Sequence, residues 1–331
     1  MYKLKQIEED FRVTEIADLK FEPGPYNYYL LIKKGFRTDE CILYLAKHLN
    51  ISASLITYFG LKDENGITNQ FISIENIKKA IEYKFKKDNK FFEIHFIGTS
   101  NKSMKIGKLY GNAFHVKIRN LTDKDISILE NNTKKTCFVL NYYDTQRFGL
   151  PNFPKIAHKI GKAILDKNYT IAFQYLYESG NINKECFENN KATEKEYINS
   201  IDQRKLNFFL SAYDSFIWNN KLKKQIQSIP NIYNRIKDNI NFLFIKSDLC
   251  KSIQDELTIT RHEISENKTI IERLSSRALI LQVNYHLSKP EIDKSNINKY
   301  SIDISFYLPS GAYATSTIDQ ILFNLNILDL E

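Results

Sequence analysis

Three observations predict an α+β fold in which a helix-rich module is inserted into a strand-rich one. Residues 1 to 150 alternate short β-prone runs with short amphipathic helices, while 151 to about 290 carry long apolar patterns of helical period joined by Asn/Lys/Ser linkers. A strand pattern then returns at "IDISFYL", followed by a Pro-Ser-Gly turn and a last amphipathic helix. The late strand implies that the C-terminus completes the first module. At 331 residues and 43% hydrophobic content, the chain is long enough to bury one large core or two ordinary ones.

Taken in order, "YNYYLLIK" (26 to 33) reads as a strand, and Thr38 offers an N-cap to a helix with Ile42, Leu45, Ala46 and Leu49 on one face. "SLITYF" and "ITNQFISI" flank Asn65-Gly66, the dipeptide best suited to the positive φ angles of a type I′ turn, and predict a hairpin. "NIKKAIEYK" reads as helix and "FFEIHFI" (91 to 97) as strand. In "NAFHVKIRN", alternation puts Phe114, Val116 and Ile118 on one face and His115, Lys117 and Arg119 on the other. The second module's helices are expected in "FPKIAHKIGKAILDKNY", in "TEKEYINSIDQRKLNFFLSAYDSFIWNNKLKKQI" and in "TIIERLSSRALILQ". The last helix carries Ile318, Ile321, Leu322 and Leu325.

Several function classes lack support. The longest apolar runs, such as "YYLLI" (28 to 32), fall far short of the roughly 18 residues of a membrane span. The N-terminus "MYKLKQIEEDF" is charged and has no apolar signal region, so a cytoplasmic protein is expected. Cys41, Cys137, Cys186 and Cys250 are dozens of residues apart, and no histidine sits at ligand spacing from them. No Gly-rich nucleotide loop occurs, so neither a metal nor a nucleotide cofactor is expected. The charge is more informative: eleven Lys or Arg against three acids lie between Lys78 and Arg119, which equals the whole net charge of +8. That segment is either a solvated surface or, interleaved as it is with Phe85, Phe91, Phe92, Phe96, Tyr110 and Phe114, a footprint for a phosphate backbone.

Asp63, in "YFGLKDENGITNQ" (58 to 70), would by itself be a solvated loop charge. Four further segments change its weight: "KIGKLYGNAFHVKIRNL", "NYYDTQRFG", "FLSAYDSFIWN" and "FYLPSGAYAT", in that order. Together they resemble the TruD family of tRNA pseudouridine synthases, with its G-x-K-D-x-x-A-x-T-x-Q, G-N-x-F, N-Y-F-G-x-Q-R-F-G and L-P-x-G-S-[FY]-A-T patterns. "EEDFRVTEI" (8 to 16) is similar to the family's N-terminal strand. The resemblance implies a mixed-sheet catalytic domain formed by 1–143 and 288–331, with a mostly helical TruD-type domain at 144–287.

It also implies the chemistry. Pseudouridine formation breaks the bond from ribose C1′ to uracil N1 and rejoins the base through C5, so it needs no cofactor. It does need a positioned carboxylate, as nucleophile or base, and a uridine pulled from its stack. By resemblance Asp63 is that carboxylate, and Lys62 beside it favours the ionised form. Asn112 and Phe114 match the residues that contact and stack on the base, Tyr313 matches the aromatic of the C-terminal turn, and Phe11 matches an aromatic lining the site. Lys5 and Glu15 align with charged residues of the cleft, and Arg147 with a structural or phosphate-contacting one. Without the family, Phe114 reads as core and Asn112 as a turn residue. Three departures stand out: Gly66 for the family's alanine, Asp144 for a glycine, and Asp319 and Gln320 for Arg-Glu. The implied partner is tRNA, bound through its D-arm region by a monomer, with uridine 13 as target. The alternatives are a catalytically silent tRNA-binding protein or RNA folding chaperone, and an enzyme of small phosphorylated metabolites, which lacks a Gly-rich phosphate loop.

Overall fold

The computed structural model describes all residues except 78, 105–108, 133–134, 189–191, 254–255, 266 and 329–331. Lys78, Lys105 and Lys108 of the basic segment therefore lie outside the described residues. The chain forms two compact units, Met1–Thr136 with Val283–Ala312, and Cys137–Gln282 with Tyr313–Glu331. The sequence predicts the last helix in the first module, whereas its residues group with the second unit.

The first unit runs through β1 (Phe11–Ile16), β2 (Tyr26–Lys34), α1 (Thr38–Leu49), β3 (Ile56–Tyr58), β4 (Ile67–Glu75), β5 (Tyr83–Lys87), β6 (Lys90–Ser100), β7 (Gly111–Leu121) and α2 (Asp123–Glu130). After β8 (Thr136–Leu140) the second unit contributes α3 (Ala157–Leu165), α4 (Tyr169–Glu178), α5 (Lys184–Glu188), α6 (Glu194–Ser200), α7 (Gln203–Ile226), β9 (Tyr233–Lys237), β10 (Ile240–Phe244), β11 (Glu256–Ile264) and β12 (Ile270–Ala278). β13 (Ile280–Leu287) leads back to the first unit, which β14 (Glu291–Ile292) and β15 (Tyr300–Pro309) complete, and α8 (Ala314–Asn324) closes the second. No helix of the described residues is long and apolar enough to cross a membrane.

In the first unit the strands lie in the order β5-β6-β2-β4-β1-β7-β15-β13, with β3 beside β4 and β14 beside β15. β1 and β4 run parallel while β2/β4, β1/β7 and β7/β15 are antiparallel, so the fold is α+β with a mixed sheet, as expected. α1 covers one face, where Ile42, Leu45 and Ala46 bury against Tyr29, Leu31, Ile72, Ile74, Phe92 and Ile94. In the second unit α3 packs so closely on α7 that a Cβ on Gly161 would lie 2.1 Å from the Phe209 carbonyl oxygen. α7 is N-capped by Asp202, whose carboxylate accepts the Arg204 N–H at 2.9 Å.

Three local expectations are corrected. Helix is absent from the described residues of "NIKKAIEYK": Asn76 takes a left-handed φ of 59°, which stops a helix, and β5 begins at Tyr83. "TIIERLSSRALILQ" forms β12 and β13, and Leu274, 79% exposed, does not belong to a buried helical face. Thr38 is the first helical residue and not the cap; its hydroxyl donates instead to Gln70 Oε1.

Candidate active site

The expected hairpin forms only at its far end, where Ile56, Thr57 and Tyr58 pair with Ile74, Ser73 and Ile72. Nearer the turn, the same edge of β4 is taken by β1, which pairs Arg12, Val13 and Thr14 with Ile67, Thr68 and Asn69. Residues 59–66 are therefore displaced from the sheet as a loop. Asn65 does not take the positive φ of a type I′ turn. Gly66 is required by proximity, because a Cβ there would lie 2.6 Å from the Phe11 carbonyl oxygen.

Buried polar groups hold this loop by its backbone. The Lys62 N–H donates to Thr38 Oγ1 at 3.1 Å, and Thr38 Oγ1 donates to Gln70 Oε1 at 2.8 Å. Gln70 Nε2 in turn donates to the Gly60 carbonyl at 3.3 Å. Lys33 Nζ, fully buried, donates to the Asp63 carbonyl at 2.6 Å and the Lys62 carbonyl at 3.4 Å. Burial pushes the Lys33 ammonium down to about 8, against the partial support of Cys41 and Asp63. Lys33 was not singled out from the sequence, yet a signal is present: it shares the inward face of β2 with Tyr29 and Leu31.

Held this way, the Asp63 carboxylate points outward with 41% of its side chain exposed. Its partner is Lys5, at 2.8 Å from Oδ2, and not Lys62; Oδ1 has no hydrogen-bond partner among the described residues. Lys5 Nζ also lies 3.8 Å from the centre of the Phe11 ring, a cation–π contact. Lys62 turns inward to Glu15, at 2.5 Å from Oε1, while Glu15 Oε2 accepts the Phe71 N–H at 2.7 Å. Phe71 sits between the stretches of β4 that pair with β1 and with β3, so this carboxylate stands in for a missing strand partner. Burial raises the Glu15 carboxyl above its ordinary range, with Lys62 and the Phe71 N–H opposing it.

Next to these charges, β1 and β7 align Glu15 with Asn112 and Val13 with Phe114. Phe11 lies 5.9 Å from Phe114, which stacks on Phe306 at 5.4 Å. Asn112 Oδ1 is buried and has no hydrogen-bond partner among the described residues. An unpartnered buried amide oxygen is uncommon and identifies a place where a ligand donor can be accepted. The structure thus brings Lys5, Phe11, Glu15, Lys62, Asp63, Asn112 and Phe114 together within the first unit.

Tyr313 belongs to the second unit, where it lies 5.9 Å from Tyr143. Burial pushes its hydroxyl up to about 12, against the pull of Arg147 and Arg277. Arg147 Nε donates to Ser215 at 3.3 Å, and the guanidinium also bonds Ser211. The departures at Asp144 and Asp319 are matched by local cations: Lys237 lies 2.9 Å from Asp144 and 3.9 Å from Asp319, and Arg235 lies 3.4 Å from Asp319. Burial alone would raise the Asp144 carboxyl; Lys237, Thr315 and the Thr145 N–H outweigh it and hold it below the ordinary range.

Acids from elsewhere in the chain shrink the basic segment. Arg119 is buried against Asp10 and Asp293, Lys117 pairs with Asp303 at 3.0 Å, and Lys90 with Glu64 at 3.4 Å. Lys84 pairs with Glu93, inside the segment, at 2.8 Å. Lys79, Lys86, Lys87 and Lys102 have no ion-pair partner among the described residues and are the cations left for an external anion.

Residues 2–205 match the family model for tRNA pseudouridine synthase D (TruD). Among curated relatives, "Probable tRNA pseudouridine synthase D 1" of Methanococcus maripaludis is 29% identical over 98% of this chain and 100% of its own length. The tRNA pseudouridine synthase D of Leptospira interrogans is 27% identical over 99% of this chain and 97% of its own. A crystal structure from Methanosarcina mazei, described as "Putative tRNA pseudouridine synthase D (TruD)", superposes with a TM-score of 0.60 at 20% identity, covering 98% of this chain and 94% of that one. At that identity the match speaks for the fold.

Proposed function

We propose that this chain, which belongs to the TruD family of tRNA pseudouridine synthases and is thus a tRNA-modifying isomerase, acts on uridine 13 of tRNA through Asp63. The observation that carries the assignment of Asp63 is the displaced loop. Four buried side-chain contacts to its backbone hold a half-exposed carboxylate outward with one oxygen unoccupied. In this reading Asp63 Oδ1 attacks C1′ and the C1′–N1 electron pair leaves with uracil. The base turns, C5 attacks C1′, the carboxylate departs, and the C5 proton is lost while N1 gains one. Atoms balance without an oxidant or an added group.

The other groups serve binding. Phe11 and Phe114 give the extruded base an apolar wall, and Asn112 Oδ1 accepts the uracil N3–H, which cytosine lacks. Lys5, at 2.8 Å from Oδ2, holds the Asp63 carboxylate in place. Lys62 and Glu15 neutralise each other beneath the base. We take the first unit as the catalytic domain and the second, with Tyr313, as the TruD-type domain that engages the D-arm region, in a monomer acting in the cytoplasm.

The test is release of tritium from C5-labelled uridine in tRNA by the wild type and by Asp63→Asn. Turnover confined to position 13, lost in the variant while tRNA binding persists, supports the proposal. Binding without turnover in either protein supports the silent RNA-binding alternative.

A further inference from the structure

A cavity of about 720 Å³ opens in the first unit at the end of β1 and the start of β7. Its position is close to the site: Tyr110 precedes Asn112 by two residues, Asp18 follows Glu15 by three, and Phe59 begins the loop that carries Asp63. The floor is apolar and aromatic, made by Tyr28, Phe59 and Met104, all buried. One wall is fixed by the Tyr28 hydroxyl, which donates to the Lys102 carbonyl at 2.7 Å, and by the Met104 N–H, which donates to Ser73 Oγ at 3.2 Å. At the mouth, Tyr110 is 59% exposed and its ring has no aromatic partner among the described residues.

The charged lining is likewise uncommitted. Lys20 and Lys102 line the cavity, and neither has a carboxylate within ion-pair distance among the described residues. Asp18 and Glu22 line it too, and neither has a cation within ion-pair distance among the described residues. A free aromatic face beside free lysines is what a single-stranded nucleotide requires, one for its base and the other for its phosphate. Carboxylates add selectivity, since they accept hydrogen bonds from exocyclic amino groups.

We propose that this cavity binds the base of the nucleotide adjoining the target uridine, stacked on Tyr110 with its phosphate on Lys20 and Lys102. Asp18 and Glu22 favour a base with an exocyclic amino group over uracil. The inference rests on the proposed isomerase reading of the neighbouring site.

The experiment measures kcat/KM by tritium release on three RNAs: intact, abasic 5′ of the target uridine, and abasic 3′ of it. The wild type is expected to lose about tenfold on one abasic RNA, the lower part of the range for stacking a base on an aromatic side chain. Tyr110→Ala should lose about tenfold on the intact RNA and nothing further on that abasic RNA, and Tyr110→Phe should restore the wild-type pattern. Equal sensitivity of wild type and Tyr110→Ala to base removal overturns the proposal. A wild type that isomerises no uridine defeats the reading of the site instead. The same three-RNA comparison, made on binding affinity, then decides the cavity by the same criterion.

Discussion

The two ends of the β1/β7 pair treat buried charge in opposite ways. At the Asp10 end, Arg119 donates to both carboxylate oxygens of Asp10 at 2.7–2.9 Å and to Asp293 at 2.8 Å. Asp10 also accepts the N–H groups of Gln6 and Ile7, and Asp293 those of Asn120 and Ser295. Those donors overcome burial and bring the Asp293 carboxyl down to about 2. At the Glu15 end, about 16 Å along the strand at about 3.3 Å per residue, Asn112 Oδ1 has no hydrogen-bond partner among the described residues and burial raises the Glu15 carboxyl. One end of the strand pair satisfies its buried charges within the fold, and the other leaves a buried amide oxygen unsatisfied among the described residues, which is where the proposed reading puts the ligand.

Arg119→Met breaks the comparison at its stable end. It leaves Asp10 and Asp293 buried without their cation, and the expected loss is about 3–5 kcal/mol of unfolding free energy in urea titration. The sign with pH follows from Asp293. Its folded value lies below the unfolded one, so its contribution is full above about 4 and lost as pH falls toward 2. The variant should show a shallower acid limb and not lose it, because the Asn120 and Ser295 N–H groups and Asn296 still hold the Asp293 carboxyl down. A loss below 1 kcal/mol would equate the two ends and defeat the contrast.

Asn112→Ala addresses the other end. Because its Oδ1 has no partner to lose among the described residues, unfolding free energy should change little, while kcat/KM for tRNA falls about a hundredfold, the cost of one missing hydrogen bond to a buried ligand donor. A stability loss as large as that of Arg119→Met would show that Asn112 serves the fold.

The sequence makes the strand pattern and the motif residues legible, and its failures have physical causes. Phe114 reads as core from alternation, and it is core, packed on Phe306, as well as beside the site. The hairpin fails because no local signal says that β1, some fifty residues earlier, takes the edge of β4 nearest the turn. Lys62 is adjacent to Asp63 in sequence, but side chains of successive residues diverge, and it is Lys5 from the N-terminus that reaches the carboxylate. The basic segment overstates its charge because Asp10, Asp293 and Asp303 are distant in sequence and near in space. Burial of Lys33 is legible from the alternation of β2, whereas its role in holding the loop depends on the same long-range displacement.

Lys33 sharpens the contrast with a smaller effect, because its cost is set by pH. An ammonium whose folded pKa is about 8 against about 10.5 unfolded holds fewer protons folded than unfolded between those values, so stability rises with pH across that window. The wild type should gain on the order of 2 kcal/mol from pH 8 to 10.5 relative to Lys33→Met, which has no such group; two parallel stability curves would refute the assignment. Turnover separates the charge from the hydrogen bonds. A neutral amine still donates to the Asp63 and Lys62 carbonyls, so deprotonation of Lys33 leaves the loop anchored. Lys33→Met removes both bonds, frees the backbone beneath the carboxylate, and should lower kcat about tenfold with KM little changed, since what it loosens is the aim of Asp63 and not the wall that holds the base.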